Sequence, residues 1–84
     1  MDDPAEVFRA GNTSYEAGEY FEAIETYRRL TDAGVVNADL YYNLGNAYYK
    51  NDELGHAVLF YVRALRLQPR NAEAKDNLGL ARSQ

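Results

Sequence analysis

The side chains that could perform acid–base or nucleophilic chemistry are few in this sequence and poorly spaced for it. His56 is the single histidine, there is no cysteine, and no Ser and Asp stand near His56 in a catalytic arrangement. The sequence has no glycine-rich phosphate loop and no metal-ligand spacing, and its carboxylates follow exposed helical faces. We therefore expect no catalysis, no cofactor and no metal ion.

Asn and Tyr are the side chains with useful binding chemistry, and the sequence contains eight Tyr. An Asn amide both donates and accepts hydrogen bonds, so it can hold the main chain of an extended peptide. A Tyr ring offers a broad contact area and has little rotamer entropy to lose. These two residue types favour binding over catalysis, provided that the fold brings them to one surface.

Composition excludes several classes of partner. The formal net charge is -4 and the pI is about 4.8, whereas a phosphate-binding surface needs clustered Lys and Arg. The same charge disfavours an anionic membrane surface, and no apolar run approaches the ~20 residues of a membrane span. We expect no nucleic-acid partner and no direct membrane contact by this segment.

Cellular location is less well defined by the sequence. The N-terminus lacks the basic and apolar regions of a signal peptide, and the absence of cysteine leaves the redox compartment open. The chain stops at Gln84 inside a predicted helix, which suggests a segment excised from a longer protein.

A 34-residue repeat organises the chain. Residues 4–37 align with residues 38–71 without a gap, and chance would give about two identities. The eight identical pairs are Gly11/Gly45, Asn12/Asn46, Tyr15/Tyr49, Glu19/Glu53, Ala23/Ala57, Tyr27/Tyr61, Arg29/Arg63 and Asn37/Asn71. Residues 72–84 begin a third copy. We predict a single domain of two units, 4–37 and 38–71, followed by a closing helix over 72–84.

Local signals predict five helices joined by short connections, so that consecutive helices are antiparallel neighbours. Capping residues, Pro and Gly mark the ends of these helices. The predicted spans are 4–17, 20–33, 38–51, 54–67 and 72–83.

The repeated residue types suit close packing of these helices. Small residues are expected where the two helices of a hairpin approach, namely Gly11, Ala23, Gly45, Ala57 and Ala64. Apolar and aromatic residues recur at three- and four-residue spacing and predict a continuous core. The predicted core residues are Val7, Ile24, Tyr27, Tyr41, Leu44, Tyr48, Val58, Tyr61 and Leu65.

The second unit carries a family resemblance. The segment YYNLGNAYYK (residues 41–50), followed by Ala57, Tyr61, Ala64 and Pro69, resembles the tetratricopeptide repeat (TPR) consensus. The resemblance implies an all-α fold, a TPR-like right-handed superhelix of two helix–turn–helix repeats plus a C-terminal capping helix. It also implies a protein–protein interaction module.

The first unit resembles the same consensus in a degenerate form. It has Ser14 where the family usually has an aromatic residue, Leu30 where it has Ala, and Val35 where it has Pro. The segment 40–46 also resembles the TPR segment of bacterial aerotolerance proteins of the Bat type. Those proteins are envelope-associated, so the expected location is cytoplasmic or, with a Bat-like parent chain, the envelope.

In the TPR arrangement the first helices of each unit line a concave groove, which the resemblance implies would bind a peptide segment of a partner. The residues projected onto it are Phe8, Arg9, Asn12, Tyr15, Glu16, Asp39, Tyr42, Asn43, Asn46, Tyr49, Lys50, Glu73, Asp76 and Asn77. A structural interpretation stays open for Asn12 and Asn46, which would satisfy backbone groups between neighbouring helices. Tyr27, Tyr48 and Tyr61 are expected to point into the hairpins.

One specialisation of the family is absent from these positions. Some TPR domains hold a C-terminal carboxylate with two Lys, one Arg and two Asn. The corresponding positions here are Phe8, Asn12, Asn43, Glu73 and Asn77. Both Asn are present, but all three cations are missing. We predict that this chain does not bind chaperone C-terminal tails of that type.

A second surface is predicted on the back of the fourth helix. Residues 58–62 form an apolar run longer than one buried stripe requires. Val58 and Tyr61 are expected to face the core, which turns Leu59 and Val62 outward as a possible contact ridge. The alternative hypothesis is therefore a structural or self-associating fragment, for example a homodimer formed through this ridge.

Overall fold

The computed structural model describes residues 2–84, and every regular element in that range is an α-helix. The helices are α1 (Pro4–Glu16), α2 (Tyr20–Asp32), α3 (Ala38–Lys50), α4 (Leu54–Leu67) and α5 (Ala72–Arg82). Each observed end lies within one residue of its predicted position. The prediction of an all-α repeat fold is therefore confirmed.

Side-chain caps begin the first helix of each unit. The side-chain oxygens of Asp3, Asn37 and Asn71 accept hydrogen bonds from backbone N–H groups in the first turns of α1, α3 and α5. These three residues are spaced by 34 positions, so the cap is part of the repeat. By contrast, α2 and α4 follow Glu19 and Glu53, whose side chains make no capping hydrogen bond. Helices α2 and α4 thus depend more on packing for their position.

Left-handed backbone conformations close the first helix of each hairpin. Gly18 has a φ of 78° after α1, and Asp52 takes the equivalent place after α3 with a φ of 62°. Asp tolerates this region better than most residues with a side chain because its short polar group can bond locally. Gly34, with a φ of 90°, ends the first hairpin as predicted.

The helices form two layers. Each helix packs against its neighbours in sequence, and α1 also contacts α3 while α3 contacts α5. The first helices of the three units therefore lie side by side in one layer, and α2 and α4 lie behind them. This arrangement places the outward faces of α1, α3 and α5 on one continuous surface.

The core lies between the layers and contains most of the predicted residues. Six of the nine are buried: Val7, Ile24, Tyr27, Leu44, Tyr48 and Tyr61. The other three, Tyr41, Val58 and Leu65, are only partly buried, so the prediction for them was too strong. Leu30, Leu40 and Phe60 are large side chains that are also buried in the core and were not predicted.

Glycine lets a Tyr ring reach across each hairpin. A Cβ added at Gly45 would lie 2.7 Å from the Tyr61 ring, and one added at Gly11 would lie well within 3.0 Å of the Tyr27 ring. Both Tyr residues are only 1% exposed, so a shift of either ring would disturb the packing around it. In the third unit, a Cβ at Gly79 would meet no atom within 4 Å. The prediction of close approach at Gly11 and Gly45 is confirmed.

These three glycines give a matched stability test. We expect Gly45→Ala and Gly11→Ala to destabilise the fold by about 1–3 kcal/mol, because the new methyl group displaces a packed ring. Gly79→Ala should be neutral or stabilise by up to ~1 kcal/mol, because Ala is the better helix former. Urea denaturation followed by circular dichroism measures all three. Equal changes at Gly45 and Gly79 would contradict the packing explanation.

Candidate functional site

The outward faces of α1, α3 and α5 form a groove with two hollows. Hollow 1 lies between α1 and α3 and has a volume of about 290 Å³. It is lined by Asn12, Tyr15, Glu16, Tyr27, Asn43 and Asn46. Hollow 2 lies between α3 and α5 and has a volume of about 340 Å³. It is lined by Tyr15, Tyr42, Asn46, Tyr49, Lys50, Tyr61, Asn77 and Leu80.

The same hydrogen-bonded cluster occurs in each hollow. In hollow 1, Asn12 Oδ1 accepts hydrogen bonds from the Tyr27 hydroxyl at 2.5 Å and from Asn43 Nδ2 at 3.1 Å. Each cluster thus ties the first helix of a unit to its second helix and to the first helix of the next unit. We call this arrangement the Asn–Tyr–Asn clasp.

The second clasp repeats the first with every residue shifted by 34 positions. Asn46 Oδ1 accepts hydrogen bonds from the Tyr61 hydroxyl at 2.6 Å and from Asn77 Nδ2 at 3.1 Å. Asn12 and Asn46 therefore do hold neighbouring helices, as the structural interpretation required. Their partners, however, are side chains and not the backbone groups that we had expected.

In the described part of the chain, each clasp leaves one amide nitrogen and one amide oxygen without a hydrogen-bond partner, on side chains that line the hollows. Within residues 2–84, Asn12 Nδ2 and Asn46 Nδ2 donate no hydrogen bond, and Asn43 Oδ1 and Asn77 Oδ1 accept none. A free donor and a free acceptor are thus repeated at an interval of one unit. This is the pattern that a peptide main chain, with its alternating N–H and C=O groups, would satisfy.

Other predicted groove residues lie toward one end or the other of the helices that form the groove. Tyr15, Tyr49 and Lys50 line hollow 2, near the C-terminal ends of α1 and α3. The Tyr42 hydroxyl, nearer the N-terminal ends, donates to Glu73 Oε2 at 3.1 Å and accepts from Asn77 Nδ2 at 3.2 Å.

Five predicted residues line neither hollow. Phe8 packs against the core, with its ring centroid 5.9 Å from that of Tyr27. Arg9, Asp39, Glu73 and Asp76 are exposed. The structure therefore brings the Asn and Tyr residues together and leaves these side chains at the margin.

The positions equivalent to a carboxylate clamp offer amide donors but no cation. Asn43 Nδ2 uses one of its two N–H groups to donate to Asn12, whereas Asn77 Nδ2 uses both, to donate to Asn46 and to the Tyr42 hydroxyl. Glu73 lies beside them as an acceptor of the Tyr42 hydrogen bond. A C-terminal carboxylate would meet a carboxylate here in place of cations. That tails of the chaperone type are not bound stays a prediction, and it rests on this lack of cations.

Two features of the groove were missed by the sequence reasoning. Tyr27 and Tyr61 were assigned only to the hairpin interior, but their hydroxyls reach the hollows and complete the clasps. The equal 15-residue separation between each clasp Asn and its Tyr was the available signal. Leu80 was also missed. It takes the place of Asn12 and Asn46 in the third unit and is 53% exposed at the edge of hollow 2.

The ridge predicted on the back of α4 is narrower than expected. Leu59 is 42% exposed, as predicted, and Tyr61 is buried. Val62 is only half-buried, and Val58 is partly buried against the core. The outward apolar surface at this place is therefore provided mainly by Leu59.

Comparison with known families identifies the fold. A model described as "TPR repeat" matches residues 11–52, half of the chain, and one described as "Tetratricopeptide repeat" matches residues 38–71. The chain belongs to the tetratricopeptide repeat family. TPR repeats are generally protein–protein interaction modules. The two layers of packed helix pairs in this TPR chain agree with a helical repeat fold.

The search of curated proteins adds no relative to this TPR chain. No curated protein matches the sequence, so the resemblance to Bat-type proteins has no support from a homologue. Among residues 2–84, no helix is both long enough and apolar enough to cross a membrane.

Burial of the clasp tyrosines makes the stability of the TPR fold depend on pH. Burial raises the pKa of the Tyr27 phenol to about 12, and burial also raises the pKa of Tyr61 above its ordinary value. The unfolded chain loses these protons near pH 10. Above that pH the folded state therefore holds more protons than the unfolded state, and the free energy of unfolding falls.

We expect the unfolding free energy to be insensitive to these groups below pH 9 and to fall between pH 10 and 12. Each Tyr should contribute a slope of up to ~1.4 kcal/mol per pH unit. Tyr27→Phe should lower the stability by about 1 kcal/mol at pH 7 and reduce the slope at high pH. Urea titrations at several pH values measure both. Parallel curves for wild type and Tyr27→Phe would contradict this assignment.

Proposed function

We propose that the groove formed by α1, α3 and α5 binds an extended peptide segment of another protein. The observation that carries this proposal is the repetition of free Asn donors and acceptors along the groove. Asn46 Nδ2 and Asn77 Oδ1 occupy the places that Asn12 Nδ2 and Asn43 Oδ1 occupy one unit earlier. A peptide lying across the three helices would therefore meet the same pair of amide groups twice.

The clasps would also reduce the cost of binding. The free Nδ2 groups belong to Asn12 and Asn46, whose Oδ1 atoms already accept from a Tyr hydroxyl and from a neighbouring amide. Side-chain entropy that is lost on folding does not have to be lost again when a ligand binds. The hollows beside the amides, lined by Tyr rings, provide space for the side chains of the peptide.

The size of the groove limits its affinity. Two hollows of about 290 and 340 Å³ accommodate only a few peptide side chains. A contact of this size favours a micromolar dissociation constant typical of transient interactions.

The free donors can be removed without breaking the clasps. In Asn46→Asp, a carboxylate oxygen replaces Nδ2, while the other oxygen still accepts from Tyr61 and Asn77. We expect this variant to keep its fold and to bind a groove peptide about five- to tenfold more weakly, because one hydrogen bond to the main chain is lost. The peptide is a capped nonapeptide selected from a random library, and titration of the ¹⁵N-labelled protein measures its binding.

Two features of that titration distinguish the groove from other surfaces. The amide signals of Asn12, Asn43, Asn46 and Asn77 should shift in the wild-type protein. Asn37→Asp is the matched control, because Asn37 Oδ1 accepts from Leu40 N at the start of α3, a bond that Asp keeps, and Asn37 lines neither hollow. Shifts confined to α2 and α4, or equal losses in both variants, would refute the groove as the binding site.

A second candidate is self-association through the exposed Leu59. Leu59 is 42% exposed on α4, and Gly55, one turn earlier, has open space around its Cα. These two positions form a shallow apolar strip, with the half-buried Val62 at its end. A second copy of the chain could pack its own α4 against this strip.

Sedimentation equilibrium tests this second candidate. The self-association hypothesis predicts that the wild-type chain is a dimer at micromolar concentration. It predicts that Leu59→Glu is a monomer, because the new charge would be buried in the interface without a partner. Glu25→Gln, at the equivalent position of α2, is the control for a change on the same face of the molecule. A monomer for both wild type and Leu59→Glu removes this candidate.

A further inference from the structure

The two hollows carry opposite charges. Glu16 lines hollow 1, and Lys50 lines hollow 2. Both side chains are exposed, and neither forms an ion pair within 4.0 Å in the part of the chain that the structure describes. Each charge is therefore available to a ligand.

Other charged residues of the groove lie elsewhere. Arg9, Asp39, Glu73 and Asp76 line neither hollow. They belong to the N-terminal halves of α1, α3 and α5, whereas Glu16 and Lys50 are the last residues of α1 and α3. A ligand side chain that enters a hollow near the C-terminal ends of α1 and α3 would meet Glu16 in hollow 1 or Lys50 in hollow 2 first.

Glu16 and Lys50 are equivalent positions of successive units, since 34 residues separate them. Packed helices lie about 8–10 Å apart, so the two charges are displaced by about that distance across the groove. The sequence thus places an acidic and a basic side chain at equivalent positions of α1 and α3, about one interhelical distance apart.

An extended peptide matches this spacing. A polyproline II helix rises about 3.1 Å per residue with three residues per turn, so positions i and i+3 point to the same side and are about 9 Å apart. Asn46 and Tyr15 line both hollows and so lie between the two charges. The free Asn46 Nδ2 could donate to a carbonyl of the peptide between its two charged side chains.

The geometry points to a specific ligand class: extended segments with a basic and an acidic residue three positions apart. The basic side chain occupies hollow 1 beside Glu16, and the acidic side chain occupies hollow 2 beside Lys50. This inference rests on the proposed function, because it assigns the specificity of the same groove. Neither charge alone defines the ligand; the pair and its spacing do.

Single charge reversals test this inference. The probes are acetylated and amidated proline-rich peptides that carry Lys and Glu three residues apart in either order, Lys twice, or Glu twice. The wild-type chain should bind the better mixed peptide about three- to fivefold more tightly than the Lys/Lys and Glu/Glu peptides. Glu16→Lys should come to prefer Glu/Glu, and Lys50→Glu should come to prefer Lys/Lys. Fluorescence anisotropy at low salt measures the affinities.

Matched controls change the same charges outside the groove. Glu25→Lys on α2 and Lys75→Glu on α5 alter exposed residues that line neither hollow. They should keep the wild-type order of preference. A mixed peptide with its charges five residues apart should lose its advantage, because the spacing no longer fits.

The possible results separate this inference from the proposed function. An unchanged order of preference in Glu16→Lys and Lys50→Glu overturns the charge assignment. If such peptides still shift the Asn46 and Asn77 amide signals, the groove remains a peptide site and only its specificity was misassigned. If no peptide of the panel or of the random library shifts these signals, both proposals fail.

Discussion

The contact between a Tyr ring and a glycine supports most of this structure. Tyr27 passes over Gly11, and Tyr61 passes over Gly45, so each ring crosses its hairpin without a side chain in its path. This close approach brings the helices of a hairpin together and carries the phenolic hydroxyl to the groove surface. The same residue thus contributes to the core through its ring and to the clasp through its hydroxyl.

The groove owes its shape and its chemistry to this arrangement. Because the hydroxyl fixes one side of an Asn amide, the other side is left in a defined orientation toward the groove. In the proposed function, the specificity of the groove would come from side chains that line the hollows without forming ion pairs among residues 2–84, such as Glu16 and Lys50.

Much of the fold could be predicted from the sequence, because the 34-residue repeat and its capping residues are local signals. Asn37 and Asn71 mark helix starts, and Gly34 marks a helix end, through bonds within a few residues. Hydrogen-bond partners were harder to predict, since the Tyr61–Asn46 bond depends on how far a ring extends between two helices. Burial of Phe60 was missed for a similar reason, because it depends on the rings of Tyr41 and Tyr48 beside it.

The two clasps share no atom, which has a consequence for how the array holds together. Asn43 belongs to the first clasp and Asn46 to the second, and no hydrogen bond between the two clasps occurs among residues 2–84. Opening one junction between units leaves the other fastened, so the junction energies should add in the manner of independent nearest-neighbour terms. At the next position of the series stands Leu80, which has no amide to offer. The Asn–Tyr–Asn clasps therefore hold the junction of α1 with α3 and the junction of α3 with α5. A helix packed beyond α5 would meet the apolar side chain of Leu80 at the equivalent position.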